Sequence, residues 1–75
     1  MSEAVKIKIT YCGMWNYYPK AVSLAQEIKE TFGYETQLVK SSGGVYEIEK
    51  NGKLIFSKKN TGRFPEPGEI IKLLS

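Results

Sequence analysis

Val5-Lys6-Ile7-Lys8-Ile9-Thr10-Tyr11-Cys12-Gly13 is the stretch that decides the fold. Val5, Ile7 and Ile9 alternate with Lys6, Lys8 and Thr10, and period-two alternation in β-branched residues predicts a strand. Tyr11 to Tyr18 breaks the periodicity and reads as a loop carrying Cys12, Gly13 and Trp15. Pro19 then opens a helix, because proline suits the first helical position, where its missing N–H costs nothing. Ala21, Leu24, Ala25, Ile28 and Phe32 follow at helical spacing and make one apolar stripe. Lys20, Ser23, Gln26, Glu27 and Glu30 fill the wet side. Gly33 ends the helix as a left-handed cap.

Working outward, Tyr34 to Lys40 reads as a second strand through Thr36, Leu38 and Val39. Ser41-Ser42-Gly43-Gly44 is a flexible turn; it lacks the lysine and the following helix of a phosphate loop. Val45–Lys50 and Lys53–Lys58 flank Asn51-Gly52, the strongest short signal for a hairpin, since both central residues need positive φ. Asn60-Thr61-Gly62-Arg63 reads as loop, and Pro67 starts a last helix with Ile70, Leu73 and Leu74 on one face. The order β-α-β-β-β-α predicts an α/β domain with a parallel front pair, an added antiparallel hairpin and two helices.

Seventy-five residues fit a single domain, 1–75. Its net stability should be roughly 4–11 kcal/mol by the per-residue rule. With 41% hydrophobic and 25% charged residues the composition is that of a globular protein. One cysteine excludes an intrachain disulfide, and the absence of histidine excludes Cys/His zinc sites and His-based triads, so no metal and no cofactor is expected. The start, Met-Ser-Glu-Ala-Val-Lys, has no apolar core like a signal peptide, and no apolar run reaches the ~20 residues that span a bilayer. A reducing, cytoplasmic setting with no membrane partner follows. The net charge is +3, but the lysines are scattered and Arg63 is the sole arginine, which argues against a nucleic-acid partner.

Cys12 is the candidate nucleophile. A thiol between a strand and a helix feels the positive end of that helix, which stabilises thiolate. Gly13 permits a tight turn beside the sulfur. Exposure follows if the loop forms a cleft at the strand's C-terminal end. The alternative is that Cys12 closes the strand as a small buried hydrophobe. Trp15 either covers the thiol or packs against Tyr17 and Tyr18, and Met14 is a mobile neighbour. The carboxylates offer little for acid–base chemistry: Glu27 and Glu30 lie on the solvated helix side, and Glu47 and Glu49 share one face of a hairpin strand.

Val5 to Gly13, followed by Tyr17, Pro19 and Lys20, resembles the start of selenoprotein W and its bacterial cysteine-containing relatives. Asn51-Gly52-Lys53-Leu54-Ile55-Phe56-Ser57-Lys58-Lys59 is similar to a Gly-Lys-Leu-Ile-x-Ser-Lys-Lys run of that family, and Ile70-Ile71-Lys72-Leu73-Leu74 to its closing helix. The resemblance implies a thioredoxin-like fold with a mixed four-stranded sheet. It also implies a role in cell redox homeostasis, working with glutathione or thioredoxin-type thiols. The family motif is Cys-x-x-Sec or Cys-x-x-Cys. Cys12 matches its first position, Gly13 and Met14 fill the middle, and Trp15 stands where the second sulfur or selenium belongs. Exchange at one thiol needs an external thiol for release. No proline precedes the third strand, so the cis-proline of thioredoxin-type clefts is not evident.

Two functions follow. The first is a redox protein acting through Cys12 by monothiol exchange with glutathione or a partner protein. The second is a redox-inactive protein-interaction module presenting Trp15, Tyr17, Tyr18 and Phe64. The sequence leaves the oligomeric state open.

Overall fold

The computed structural model describes residues 5–14 and 16–75; Met1 to Ala4 and Trp15 lie outside the described residues. The elements are β1 (Lys6–Cys12), α1 (Tyr18–Phe32), β2 (Glu35–Ser41), β3 (Tyr46–Lys50), β4 (Lys53–Ser57), α2 (Lys58–Thr61) and α3 (Glu69–Leu74). The strands form one sheet in the order β2-β1-β3-β4. β1 is parallel to β2 from Lys6↔Glu35 to Cys12↔Ser41, and antiparallel to β3 from Ile7↔Lys50 to Tyr11↔Tyr46. The expected β-α-β-β-β-α order and mixed four-stranded sheet are present, with one helix more than expected.

Each end of α1 follows from its sequence. Pro19 lies in the first turn, and Gly33, at φ 78°, donates its N–H to Lys29 O. Ala21 and Ile28 are buried on the apolar stripe, with Leu24, Ala25 and Phe32 packed around them. The hairpin turn is as expected: Asn51 has φ 52° and Gly52 φ 82°. Asn51 also closes back on the sheet edge, its Oδ1 accepting the Lys6 N–H at 2.8 Å. The core runs along one sheet face, through Ile7, Ile9 and Tyr11 of β1, Tyr46 and Ile48 of β3 and Phe56 of β4, closed by Ile70 and Leu74 of α3. Burying an aliphatic side chain of this size contributes about 1.5–3 kcal/mol.

Three expectations are corrected. The strand does not give way to loop at Tyr11 but continues through Cys12, because the Cys12 N–H bonds to Val45 O at 2.9 Å. Asn60 and Thr61, expected as loop, belong to the short helix α2, capped by the Ser57 hydroxyl accepting from the Asn60 N–H and ended by Gly62 at φ 75°. The last helix begins at Glu69 rather than Pro67, since Gly68 takes φ 80° and cannot continue a right-handed turn.

Candidate functional site

Cys12 ends β1, and the alternation of that strand breaks there: Tyr11 and Cys12 are both buried. The Cys12 residue is 1% exposed and belongs to the central core cluster. The expected open thiol is therefore covered in this conformation. Cys12 donates its N–H to Val45 O, and Gly13 donates to Ser41 O, both at 2.9 Å, so the backbone at the end of β1 is tied on both sides. The N-terminus of α1 lies at Tyr18 and its cap at Tyr17, so the thiol is separated from the helix by a turn.

A side chain at position 13 would have to push the Lys40 stem aside. A Cβ built on Gly13 would lie 2.3, 2.6 and 2.9 Å from Cε, Cγ and Cδ of Lys40. The aliphatic stem of Lys40 lies across the glycine, while Lys40 as a whole is exposed. Met14 is 80% exposed. Trp15, central to both functional readings, lies outside the described residues.

Of the aromatic residues expected to form an interaction surface, Tyr18 is 54% exposed, but Tyr17 is only 9% exposed and Phe64 is half-buried. The Tyr17, Tyr46 and Phe64 rings instead pack edge-to-face around one another. Tyr17–Phe64 centroids are 4.8 Å apart, Tyr46–Phe64 5.2 Å and Tyr17–Tyr46 6.4 Å. The Tyr46 hydroxyl donates to Lys20 O at 3.2 Å, and burial pushes its pKa up to about 12. Two ammonium groups approach the Phe64 ring: Lys20 Nζ at 4.8 Å and Lys58 Nζ at 5.4 Å from its centroid. Such placements favour the cation by roughly 0.5–1 kcal/mol at exposed sites. A cleft of 500 Å³ opens beside them, with Lys20, Tyr46, Phe64, Pro65 and Ile70 in its walls.

The loop that presents Phe64 is clamped. Arg63 grips Glu69 through two N–H···O bonds of 2.7 and 3.0 Å, and Glu69 also accepts the Glu66 N–H. The guanidinium holds the Glu69 carboxyl at about 2, well below the usual carboxylate range. The sequence pointed to Phe64 as a surface aromatic. It gave no sign that Lys20 and Lys58, in separate elements, would meet on that ring. No group of three or more potential metal ligands occurs among the described residues.

Residues 6–75 match the Rdx family. Selenoprotein W of Danio rerio is 38% identical over 64 residues, covering 80% of this chain and 74% of that protein. Migration and invasion enhancer 1 of Bos taurus is 34% identical over 73 residues, covering 96% of this chain and 64% of that longer protein. Among solved structures, a selenoprotein W-related protein from Vibrio cholerae superposes with a TM-score of 0.87 at 32% identity, covering 95% of this chain and 92% of the other. A protein from Bordetella parapertussis superposes with a TM-score of 0.91 at 32% identity, covering 96% and 95%.

Proposed function

The chain belongs to the Rdx family of selenoprotein W-like, thioredoxin-like proteins, and on that basis we propose that it is a thiol redox protein acting through Cys12 by monothiol exchange. The supporting observation is the position of Cys12 at the C-terminal end of central strand β1, next to Gly13 and the exposed Met14. With Trp15 in place of a second sulfur, the reaction has two steps. Cys12 thiolate attacks one sulfur of glutathione disulfide, a new S–S bond forms, and one glutathione thiolate leaves with the electron pair. A thiolate of a partner protein then attacks the glutathione sulfur of the mixed disulfide, restoring the Cys12 thiolate and leaving the partner joined to glutathione. In the reverse direction the Cys12 thiolate takes glutathione from a protein–glutathione mixed disulfide, the protein thiolate leaves, and a glutathione thiolate then releases Cys12 as glutathione disulfide forms. A cytoplasmic, reducing setting suits this chemistry, and no helix among the described residues is long and apolar enough to cross a membrane.

Because Cys12 is 1% exposed, exchange requires a local opening that uncovers the thiol. Opening of this kind is drawn from the low end of local stability. The test is intact mass after incubation of the folded protein with glutathione disulfide. One glutathione adduct, absent in Cys12→Ser and removed by reduced glutathione, is expected. No adduct on the folded chain, with adduct on the urea-unfolded chain, overturns the redox reading.

The burial of Cys12, against the exposure of Met14 at 80% and Tyr18 at 54%, favours a second reading: a redox-inactive interaction module centred on the Trp15 loop. Here Cys12→Ser leaves partner binding unchanged and Trp15→Ala abolishes it. The reverse pattern rejects the module.

A further inference from the structure

Among the described residues, the two ion pairs are Lys29–Glu35 and Arg63–Glu69. Lys20, Lys40 and Lys58 are in neither, yet each is held by another contact. Lys20 and Lys58 approach the Phe64 ring, Lys58 Nζ also lies 5.8 Å from the Tyr17 centroid, and the Lys40 stem lies across Gly13. Glu27 and Glu66 line the cleft beside Lys20, but neither comes within ion-pair distance of it.

All three lysines belong to the Cys12 end of the sheet. Cys12 bonds to Val45 O; the next residue, Tyr46, is the register partner of Tyr11; and the Tyr46 ring touches Phe64. On the other side, Ser41 is the register partner of Cys12, and Lys40 precedes it. Lys20 and Lys58 thus lie on the β3 side of the thiol segment, through Phe64 and Tyr46, and the Lys40 stem on its β2 side, across Gly13. Aromatic rings hold the first two in place without neutralising them.

We propose that Lys20, Lys58 and Lys40 are specificity-determining residues that select anionic thiols and disulfides, those carrying carboxylates beside the reacting sulfur, for exchange at Cys12. This inference rests on the redox reading above. Like-signed cations converging on one segment raise the local concentration of an anionic reactant and its encounter rate, by a factor of roughly 10 or more. The effect is screened over about 8 Å at physiological salt. The same lysines leave a neutral disulfide unassisted.

The experiment compares two disulfide probes on the folded protein: dithionitrobenzoate, which is dianionic, and dipyridyl disulfide, which is neutral. In each case Cys12 thiolate displaces an aromatic thiolate, which is read by absorbance. The thiol proton passes to buffer. The proposal expects the double variant Lys20→Met, Lys58→Met to slow the anionic probe roughly tenfold at low salt, with the neutral probe changed less than about twofold. Methionine keeps most of the apolar stem, and a thermal melt confirms folding. Lys20→Arg with Lys58→Arg retains the anionic preference. Lys53→Met, which removes one charge at the far end of the sheet, leaves both rates unchanged. Equal rates for the two probes in the wild type, or equal slowing of both by the double variant, overturn the selectivity while leaving the redox reading intact. Failure of both probes to react with the folded chain overturns the redox reading, and the selectivity with it.

Discussion

The two ends of the sheet are held together by different means. At the hairpin end the chain turns through Asn51 and Gly52 in left-handed conformations, Lys29 pairs with Glu35, and Phe32 stacks on Tyr34 at 5.0 Å. The order there is local in sequence: Glu35 lies six positions after Lys29, and Tyr34 two positions after Phe32. At the Cys12 end, residues from three elements and two loops converge: Cys12, Tyr17, Tyr46, Lys58 and Phe64. One end is specified by backbone conformation and neighbouring charges. The other is specified by tertiary packing, and two of its cations, Lys20 and Lys58, lie over an aromatic ring rather than beside a carboxylate. The thiol lies at this second end.

Three variants sharpen this contrast. Phe64→Ala has the largest expected effect. It removes the ring shared by Tyr17, Tyr46, Lys20 and Lys58, and costs about 2–3 kcal/mol in urea denaturation, at or below the low end for aromatic truncation because Phe64 is only half-buried. Near-UV circular dichroism changes with it. If stability and the near-UV signal both survive, packing does not hold the Cys12 end together. Gly52→Ala comes next. Its φ of 82° penalises any side chain by roughly 1–2 kcal/mol, although nothing lies within 4 Å of the new Cβ. The loss appears in denaturation while the near-UV signal of the folded protein stays the same, since no ring cluster is touched. Glu69→Gln is the smallest. The Glu69 pKa falls from 4.5 to about 2 on folding, so its contribution is present above the unfolded value and lost as pH falls from about 4.5 towards 2. Melting temperature against pH should show a shallower acid-side decline in Glu69→Gln than in the wild type. Identical slopes would mean that the exposed Arg63–Glu69 clamp does not stabilise the fold.

The hairpin end was also the legible one. Asn51-Gly52 and Gly33 favour left-handed backbone conformations, and the turn and the C-terminal end of α1 were read from them; at the other end Pro19, with its fixed φ, marked the helix start. The Cys12 end was read less well for the same physical reason. Whether β1 stops at Thr10 or Cys12 depends on an acceptor, Val45 O, thirty-three positions away in the chain. The four residues of α2 are too few for a period, and its cap, Ser57, also reads as the end of a strand. Cys12 was identified as the candidate nucleophile, but its burial depends on what covers it, which no spacing encodes. Lys20 and Lys58 looked like ordinary solvated lysines until Phe64 was seen between them.

The strand order β2-β1-β3-β4 bears on how the molecule assembles. β1 precedes both of its neighbours in the chain and lies between them in space. The β3–β4 hairpin closes around two residues, an event of about 1–10 μs. β1 must wait for two longer closures, one over α1 to reach β2 and one beyond it to reach β3, and each long closure slows folding. The thiol at the end of β1 is therefore expected to stay open to oxidants in a refolding chain after the hairpin has closed, and pulsed alkylation of Cys12 during refolding would read the delay.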